Sequence, residues 1–179
     1  DNTLRTGPGA AKFGSAITGT PKILRAIDYW SDEATQRAVA MASDGKLYED
    51  DGAGAGWTDI TGLAALTVTA AIPHFSKGGR ETTGVSTALF YADGLNRERV
   101  RRGSGAFAAI ASPAPEWTGS NRPRGFLINQ GYNWAFGNPS LPHHLIRSLD
   151  TAHEDFTTTR FAAPIFPGHE DGLYVSCAL

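Results

Sequence analysis

The chain has 179 residues, of which 41% are hydrophobic, so it is long enough to bury a core. Its formal net charge of −2 argues against a general nucleic-acid binder, because such proteins usually carry a strong basic excess. The 21 glycines and 10 prolines, against a single methionine, indicate a turn-rich β protein and argue against a helical one.

Residues 1–22 combine glycine, alanine and polar residues, which predicts an extended N-terminal arm or an edge strand. The segment 23–30 alternates well enough to be a strand with one buried face. Residues 37–63 read as strand, tight turn, strand, glycine-rich loop and short strand, with an Asp-Gly pair in the turn. Residues 64–72 contain Thr and Val and are predicted to form a further strand.

The same order of signals recurs along the chain. Turn pairs occur three times, 49 positions apart for the first two: Asp44-Gly45, Asp93-Gly94 and the weaker Gly137-Asn138. Large aromatic residues, which we interpret as core positions, follow at spacings of 50 and 49: Trp57, Phe107 and Phe156. Repeats of roughly 40 to 50 residues with several short strands are typical of propeller blades. An all-β sandwich with turns at chance spacing is the alternative.

The sequence therefore predicts an all-β fold of propeller-like blades made of short antiparallel strands. The blades are predicted at about residues 23–62, 74–111 and 124–159, with a partial fourth blade at 164–179. A closed propeller needs at least four blades, so the ring is incomplete within these residues. We expect the region 23–179 to be part of a longer polypeptide, or an open β array that neighbouring chains complete.

Candidate catalytic and metal-binding groups are scattered along the chain. His143 and His144 are adjacent and would point to opposite faces of a strand, so they cannot share a metal without a bulge. The tripeptide His-Glu-Asp occurs at 153–155 and 169–171, but neither copy has the i, i+4 pairing of a zinc-hydrolase helix. The acidic loop 49–52 lacks the ligand spacing of a helix-loop-helix calcium site. We predict no catalytic residues, no metal or other cofactor, and no enzymatic activity.

Two features predict an interaction surface. The basic cluster consists of Arg97, Arg99, Arg101 and Arg102, and strand alternation would place the first three on one face. That face could bind nucleic-acid phosphates or an acidic surface of a partner subunit, whereas the alternative is a solvated edge strand that its charge protects from aggregation. Trp117 is the one anchor in an otherwise irregular, proline-rich loop that we predict to lie on the surface.

The sequence motifs of the repeats resemble those of the β-propeller-bearing structural proteins of tailed-bacteriophage tails, particularly the nozzle or tail-hub proteins of short-tailed phages. The resemblance covers most of residues 23–156. It rests on RAIDYW, ASDGKLYEDDG and GWTDITG in the first repeat and on PHF, GGRETT and LFYADGLNRERVRRGSG in the second. The segments PAPEWTGSNRPRGF and YNWAFGNPSLPHHLIRSLDTAHEDF carry it further. These are turn and packing motifs.

The resemblance implies a non-enzymatic component of the virion tail, assembled in the cytoplasm of the host bacterium. Copies would form a ring below the portal and adaptor, line part of the channel for DNA, and contact other tail proteins. No run of apolar residues is long enough to span a membrane as a helix, so no membrane segment is predicted. A carbohydrate-binding propeller that presents Trp117 to a glycan is the first alternative, and a metal-dependent hydrolase that uses the His-Glu-Asp segments is the second.

Overall fold

The structure is a computed structural model that describes residues 16–30, 36–50, 56–68, 72–80, 87–129, 131–142, 144–150, 152–157 and 161–164. Within these residues the only regular secondary structure is β-strand, so the predicted all-β class is confirmed. Alternating and aromatic segments form the strands, whereas Gly, Pro, Asp and Asn occupy the turns between them.

The strands form three antiparallel sheets of four strands, and consecutive strands are neighbours in each sheet. Sheet I contains β1 (Ile23–Trp30), β2 (Gln36–Ala42), β3 (Leu47–Asp50) and β4 (Thr58–Asp59). Sheet II contains β5 (His74–Arg80), β6 (Thr87–Ala92), β7 (Arg99–Arg102) and β8 (Ala108–Ala109). Sheet III contains β9 (Gly125–Asn129), β10 (Tyr132–Phe136), β11 (His144–Arg147) and β12 (Phe161–Pro164). Each sheet is a simple meander.

The predicted turn between β2 and β3 is confirmed in detail. The Asp44 carboxylate accepts a hydrogen bond from the backbone N–H of Lys46 at 3.1 Å, which closes a local side-chain turn. Gly45 has a φ of 77°, a conformation that disfavours residues with a Cβ atom. A Cβ at this position would also clash with the backbone carbonyl of Leu66. The Asp-Gly pair therefore has both a conformational and a packing cause.

The same turn chemistry recurs in the other two sheets. The Asp93 carboxylate accepts hydrogen bonds from the next two backbone N–H groups after Gly94, at 2.9 and 2.7 Å, and Gly94 has a φ of 79°. In sheet III the side-chain oxygen of Asn138 accepts from the backbone N–H of Ser140 at 3.1 Å, next to Gly137 with a φ of 71°. A side-chain turn, in which Asp or Asn accepts a hydrogen bond from the backbone N–H two residues later, thus recurs in all three sheets. The glycine with positive φ follows the acceptor in sheets I and II and precedes it in sheet III.

Sheet II lies between the other two sheets. Because successive strand residues point to opposite faces, Ala88 and Phe90 of β6 pack in one hydrophobic core with sheet III. Leu89 and Tyr91 pack in a second core with Val39 and other residues of sheet I. Both faces of β6, the second strand of sheet II, are therefore buried and apolar.

The first strands of the three sheets lie near one another. The Lys77 ammonium on β5 donates a hydrogen bond to the backbone carbonyl of Asp28 on β1 at 2.9 Å. The backbone N–H of Phe126 on β9 donates to Nδ1 of His74 on β5 at 3.4 Å. A Cβ on Gly125 would lie 2.8 Å from the His74 ring, so glycine permits this close approach. The sheets are therefore arranged with β1, β5 and β9 adjacent in that order.

The connection from β4 to β5 differs from its prediction. Residues 60–68 form no strand, and their backbone bonds to turns of two different sheets. The N–H of Leu66 donates to the carbonyl of Gly45 at 2.7 Å, and the N–H of Thr67 donates to the side chain of Asn96 at 2.8 Å. These bonds satisfy the backbone without a neighbouring strand, so the predicted strand is wrong over the described part of this segment.

One predicted boundary differs in the structure. β12 pairs with β11 as the last strand of sheet III, so this sheet extends to Pro164, beyond the predicted limit of 159. The rest of the predicted fourth blade, residues 165–179, lies outside the described residues, as does most of the predicted arm, residues 1–15. In the described part of the arm, Ile17 is buried against sheet I.

Candidate functional site

The predicted basic face is divided by the fold. Arg97 lies in the turn before β7 and is exposed, whereas Arg99 is 4% exposed and Arg101 is fully buried. Arg102 is half-buried. The prediction of one exposed arginine face is therefore corrected at Arg99 and Arg101. The reason is that sheet II has a sheet on either side, which encloses the side chains of Arg99 and Arg101.

Arg101 belongs to a charge network between sheets I and II. Its guanidinium forms an ion pair with Glu49 of β3, whose side chain is 9% exposed. The second carboxylate oxygen of Glu49 accepts a hydrogen bond from Arg37 of β2 at 2.8 Å. Nε of Arg101 donates to the backbone carbonyl of Gly105 at 2.5 Å. The Glu49 carboxylate thus binds one arginine of its own sheet, Arg37, and one of sheet II, Arg101. The contact with Arg101 favours one position of sheet II relative to sheet I.

Arg99 holds the connection between the same two sheets. Its guanidinium donates to the backbone carbonyls of Thr61 at 3.0 Å and Ala64 at 2.6 Å. Burial lowers the pKa of Arg99, and the nearby Asp93 carboxylate and Tyr91 oppose this effect. The Arg99 side chain therefore supplies the hydrogen-bond donors that a neighbouring strand would otherwise give to the connection between β4 and β5.

Arg102 links sheet II to sheet III. Its Nε donates to Oε1 of Glu154 at 2.7 Å, and a second guanidinium nitrogen contacts Oε2. Glu154 is 1% exposed, and its Oε2 also accepts from the backbone N–H of Ala111 at 3.3 Å. Parallel contacts between an arginine fork and a carboxylate are geometrically specific, so this pair orients the two sheets.

Trp117 is not a surface residue. It lies in the connection between β8 and β9 but is only 3% exposed. Its ring packs against Phe156 with a centroid distance of 4.7 Å and against Phe126 with a distance of 5.9 Å. The prediction that Trp117 presents itself to a ligand is therefore corrected, because the loop folds this side chain into the core between sheets II and III.

The three aromatic positions differ in their surroundings. Phe107 is 2% exposed in the core between sheets I and II, and Phe156 is fully buried in the core between sheets II and III. Trp57 is half-buried and packs with Ala42 and Tyr48 in a separate small cluster. Trp57 is thus the least enclosed of the three.

Hydrogen bonding changes the alignment of the third repeat. In the turn 59–61 the Asp carboxylate accepts from the backbone N–H of the Thr at 3.0 Å and from its hydroxyl at 2.6 Å. The turn 155–157 repeats both bonds, at 2.8 and 2.9 Å. Phe156 therefore corresponds to Ile60, the central residue of the first turn, and not to Trp57.

His153, one of the groups that suggested metal chemistry, has structural partners. Nε2 of His153 lies 2.7 Å from the backbone carbonyl of Gly131, and the side-chain amide of Asn133 donates to the His153 carbonyl at 3.1 Å. In the described part of the chain, no three His, Cys, Asp or Glu residues are arranged to hold a metal ion. His143 and the segment 169–171 lie outside the described residues.

Two further buried groups carry shifted pKa values. Burial raises the pKa of the Tyr91 hydroxyl, and this hydroxyl donates to the Asp93 carboxylate at 2.7 Å. Burial likewise raises the pKa of Glu98, while the neighbouring Arg122 and Arg97 guanidinium groups oppose the effect. The Tyr91 hydroxyl thus contacts the turn between β6 and β7, whereas Glu98 contacts Arg122 in the segment before β9.

Arg122 and Arg124 are cations near this turn that lie outside the predicted cluster. Arg122 contacts Oε2 of Glu98 at 3.1 Å and donates to the backbone carbonyl of Trp117 at 2.6 Å. Arg124 is exposed. A sequence signal for Arg124 exists: a proline followed by a basic residue stands directly before β9 and also before β1, where Lys22 occupies the second position.

Comparison with known proteins finds no match for this chain, neither with a protein-family model nor with a curated protein. Among the described residues there is no helix of the length and apolarity that a membrane span requires.

Proposed function

We propose that the chain is a propeller-like structural component of a bacteriophage tail, of the nozzle or hub type. The single observation that carries this proposal is the stacking of three four-stranded meanders whose first strands are adjacent. Propellers arrange four-stranded sheets around a central axis, with one strand of each blade nearest to that axis. In this interpretation β1, β5 and β9 are the inner strands.

The ties between the sheets support a rigid, geometric role. A buried arginine–carboxylate contact crosses each sheet interface, through Arg101 and Glu49 on one side of sheet II and through Arg102 and Glu154 on the other. Such contacts favour one relative orientation, since breaking either pair would leave a buried charge without its partner. A component that transmits position between neighbouring subunits needs this kind of fixed geometry.

Further sheets would complete the arrangement. Propellers have typically four to eight blades, and the described residues supply three sheets. The face of sheet III that points away from sheet II carries Leu127, Trp134 and Arg147 at one level of the sheet. In our proposal this face packs against the next blade, in the way that sheet II packs against sheet III.

The role in the virion follows from the resemblance of the repeats to tail nozzle and hub proteins. Copies of the chain would form a ring below the portal and adaptor, in the tail of the virion, and DNA would pass through its channel. Assembly would occur in the cytoplasm of the host bacterium. The chain would act without catalysis, by presenting rigid loops to neighbouring tail proteins.

Light scattering of the purified chain tests this proposal. The expected result is a mass that is a multiple of the 19.0 kDa chain mass and that persists on dilution. A stable monomer over the whole concentration range would contradict the ring. The measurement requires no assumption about neighbouring proteins.

A carbohydrate-binding module is the second candidate function, with Trp134 in place of Trp117 as the residue that would contact the sugar. Trp117 is buried, but Tyr132 and Trp134 form an aromatic pair with centroids 6.0 Å apart, and the Arg147 guanidinium lies 4.5 Å from the Tyr132 ring centre. Aromatic faces beside a donor are suited to stacking on sugars. Glycan-array binding that disappears in Trp134→Ala, with the chain monomeric in light scattering, would favour this function over the structural one.

A further inference from the structure

We propose that His74 is a pH switch at the joint between β5 and β9. While its imidazole is neutral, Nδ1 accepts a hydrogen bond from the backbone N–H of Phe126, which holds the first residues of the two strands together. When the ring takes up a proton, this hydrogen bond is lost and β9 separates locally from β5. This behaviour belongs to the chain itself and goes beyond the proposed tail function.

The imidazole lies directly against sheet III. His74 is the first residue of β5 and Gly125 is the first residue of β9. A Cβ on Gly125 would lie 2.8 Å from Cγ and 3.0 Å from Nδ1 of the His74 ring. Phe136 of β10 pairs with Gly125, and its ring stands almost perpendicular to the imidazole, with centroids 5.3 Å apart. The ring therefore contacts both β9 and β10, so a change in its charge is felt at the joint.

The hydrogen bond with Phe126 requires the neutral ring. An N–H donor needs a lone pair on Nδ1, so the single proton of the neutral imidazole is on Nε2. A second proton would occupy Nδ1 and place two N–H donors opposite each other. The bond is long at 3.4 Å, so its loss should open the joint locally and leave the rest of the fold intact.

The surroundings of His74 favour the form that accepts the hydrogen bond. Burial lowers the pKa of the ring, and the Arg25 guanidinium on β1 adds to this effect. Uptake of a proton therefore opposes both the partial burial of the ring and the positive charge of Arg25. Separation of β9 from β5 relieves the first of these costs, because it exposes the ring to water.

Other charged groups on the neighbouring elements are already engaged or cationic. The Asp93 carboxylate, which follows β6, accepts from the Tyr91 hydroxyl at 2.7 Å. Asp28 on β1 forms an ion pair with Lys77 of β5 at 3.2 Å. Arg124 precedes β9 and is exposed. A proton on the ring would therefore gain no unengaged carboxylate among these groups.

Two hydrogen bonds beside the joint have acceptors that do not titrate. The backbone N–H of Arg124 donates to the carbonyl of Phe136 at 2.9 Å, and that of Gly94 donates to the carbonyl of Pro123 at 3.0 Å. Neither bond depends on the charge of His74. The amides of Arg124 and Gly94 are therefore internal references for the amide of Phe126.

The direction of the effect follows from proton linkage. The joint is fully formed above pH 6.5, the ordinary pKa of histidine, and weakens as the pH falls from 6.5 through the lowered pKa of His74. Within that interval the population of the open joint should rise about tenfold per pH unit, because opening is coupled to the uptake of one proton.

The experiment is amide hydrogen exchange of the full chain, followed by NMR from about pH 4.5 to about pH 7.5, which brackets the ordinary pKa of histidine. Protection factors correct for the intrinsic pH dependence of exchange. The protection factor of the Phe126 amide should fall about tenfold per pH unit below pH 6.5 until the lowered pKa is passed. The protection factors of Arg124 and Gly94 should stay constant.

Three variants assign the effect to His74. His74→Gln provides a side-chain oxygen that can accept from Phe126 and does not titrate, so protection should persist at low pH. The matched control is His144→Gln, which removes a half-buried histidine of β11 and should retain the pH dependence of the unaltered chain. Arg25→Gln, at an exposed position, removes a charge that opposes protonation and should move the midpoint of the change to higher pH.

A constant protection factor of Phe126 over the whole pH range would overturn the switch. So would a parallel fall at Phe126, Arg124 and Gly94, since the whole region would then loosen, and so would loss of the pH dependence in His144→Gln. If His74→Gln does not fold, the unaltered chain and Arg25→Gln decide the question, because an unchanged midpoint in Arg25→Gln would contradict titration at His74.

Discussion

The charge network between sheets I and II should be strongly non-additive when it is mutated. Glu49→Gln would remove the carboxylate that Arg101 contacts, and Arg101 is fully buried. A buried charge that loses its partner costs about 3 to 5 kcal/mol of unfolding free energy. Arg101→Met should cost less, about 1 to 3 kcal/mol, because Glu49 would keep its 2.8 Å hydrogen bond with Arg37.

The double variant Glu49→Gln/Arg101→Met measures the coupling between Glu49 and Arg101 through a double-mutant cycle in urea. It has no uncompensated buried charge, so we expect it to be more stable than Glu49→Gln alone and the coupling energy to exceed about 1 kcal/mol. Lys46→Gln is the surface control, since its pair with Asp59 is about half exposed and should contribute less than about 1 kcal/mol. Additive effects, or a cost below about 1 kcal/mol for Glu49→Gln, would refute the assigned network.

Three other predictions concern the core, a glycine and a histidine. Phe156→Ala should lower the unfolding free energy by about 3 to 5 kcal/mol, and Trp57→Ala by about half as much because Trp57 is only half-buried. Equal effects of the two variants in urea unfolding would contradict the difference in burial between Phe156 and Trp57. Gly62→Ala should lower the unfolding free energy by more than about 2 kcal/mol, since φ is 67° and a Cβ would clash with a neighbouring backbone carbonyl. Gly119→Ala, with a φ of 54° and open space around the Cβ, should lower it by only about 1 kcal/mol. If Gly119→Ala were the more destabilising variant, this would count against the close approach at residue 62. Burial lowers the pKa of His74 from 6.5, so the stability that neutral His74 contributes is present above pH 6.5 and is lost as the pH falls through the lowered pKa. His74→Gln should therefore flatten the plot of unfolding free energy against pH in this range. An unchanged plot would show that His74 does not cause the pH dependence.

The sequence predicts the strand class and the turns because their causes are local. An Asp-Gly pair supplies both a side-chain acceptor and a residue that tolerates positive φ, so Asp44-Gly45 and Asp93-Gly94 can be recognised without knowledge of the fold. The spacing of the pairs predicts repetition of the unit. The stacking of sheet II between two neighbours is not encoded in any one segment.

The arginine prediction failed for a non-local reason. Alternating charge in β7 resembles a solvated edge strand, but Glu49 and Glu154, which lie far from β7 in sequence, supply partners for Arg101 and Arg102. A charged strand can be interior when neighbouring sheets provide carboxylates, and composition alone does not reveal those neighbours.

The prediction that Trp117 lies on the surface was wrong for a similar, non-local reason. Its proline-rich segment has no periodicity, which is typical of a surface loop, yet the segment crosses the joint between sheets II and III. The aromatic ring then covers Phe126 and Phe156. In repeated sheet structures the connections contribute to the cores between sheets, so an aromatic residue in a connection is a candidate for burial.

Electron microscopy of the purified chain would distinguish a ring of several copies from a single compact particle. Negative-stain class averages should show rings of several copies around an open channel, with the sheets arranged radially about each subunit's own axis. Compact single particles without a channel, at concentrations where the chain is folded, would contradict the tail-component account.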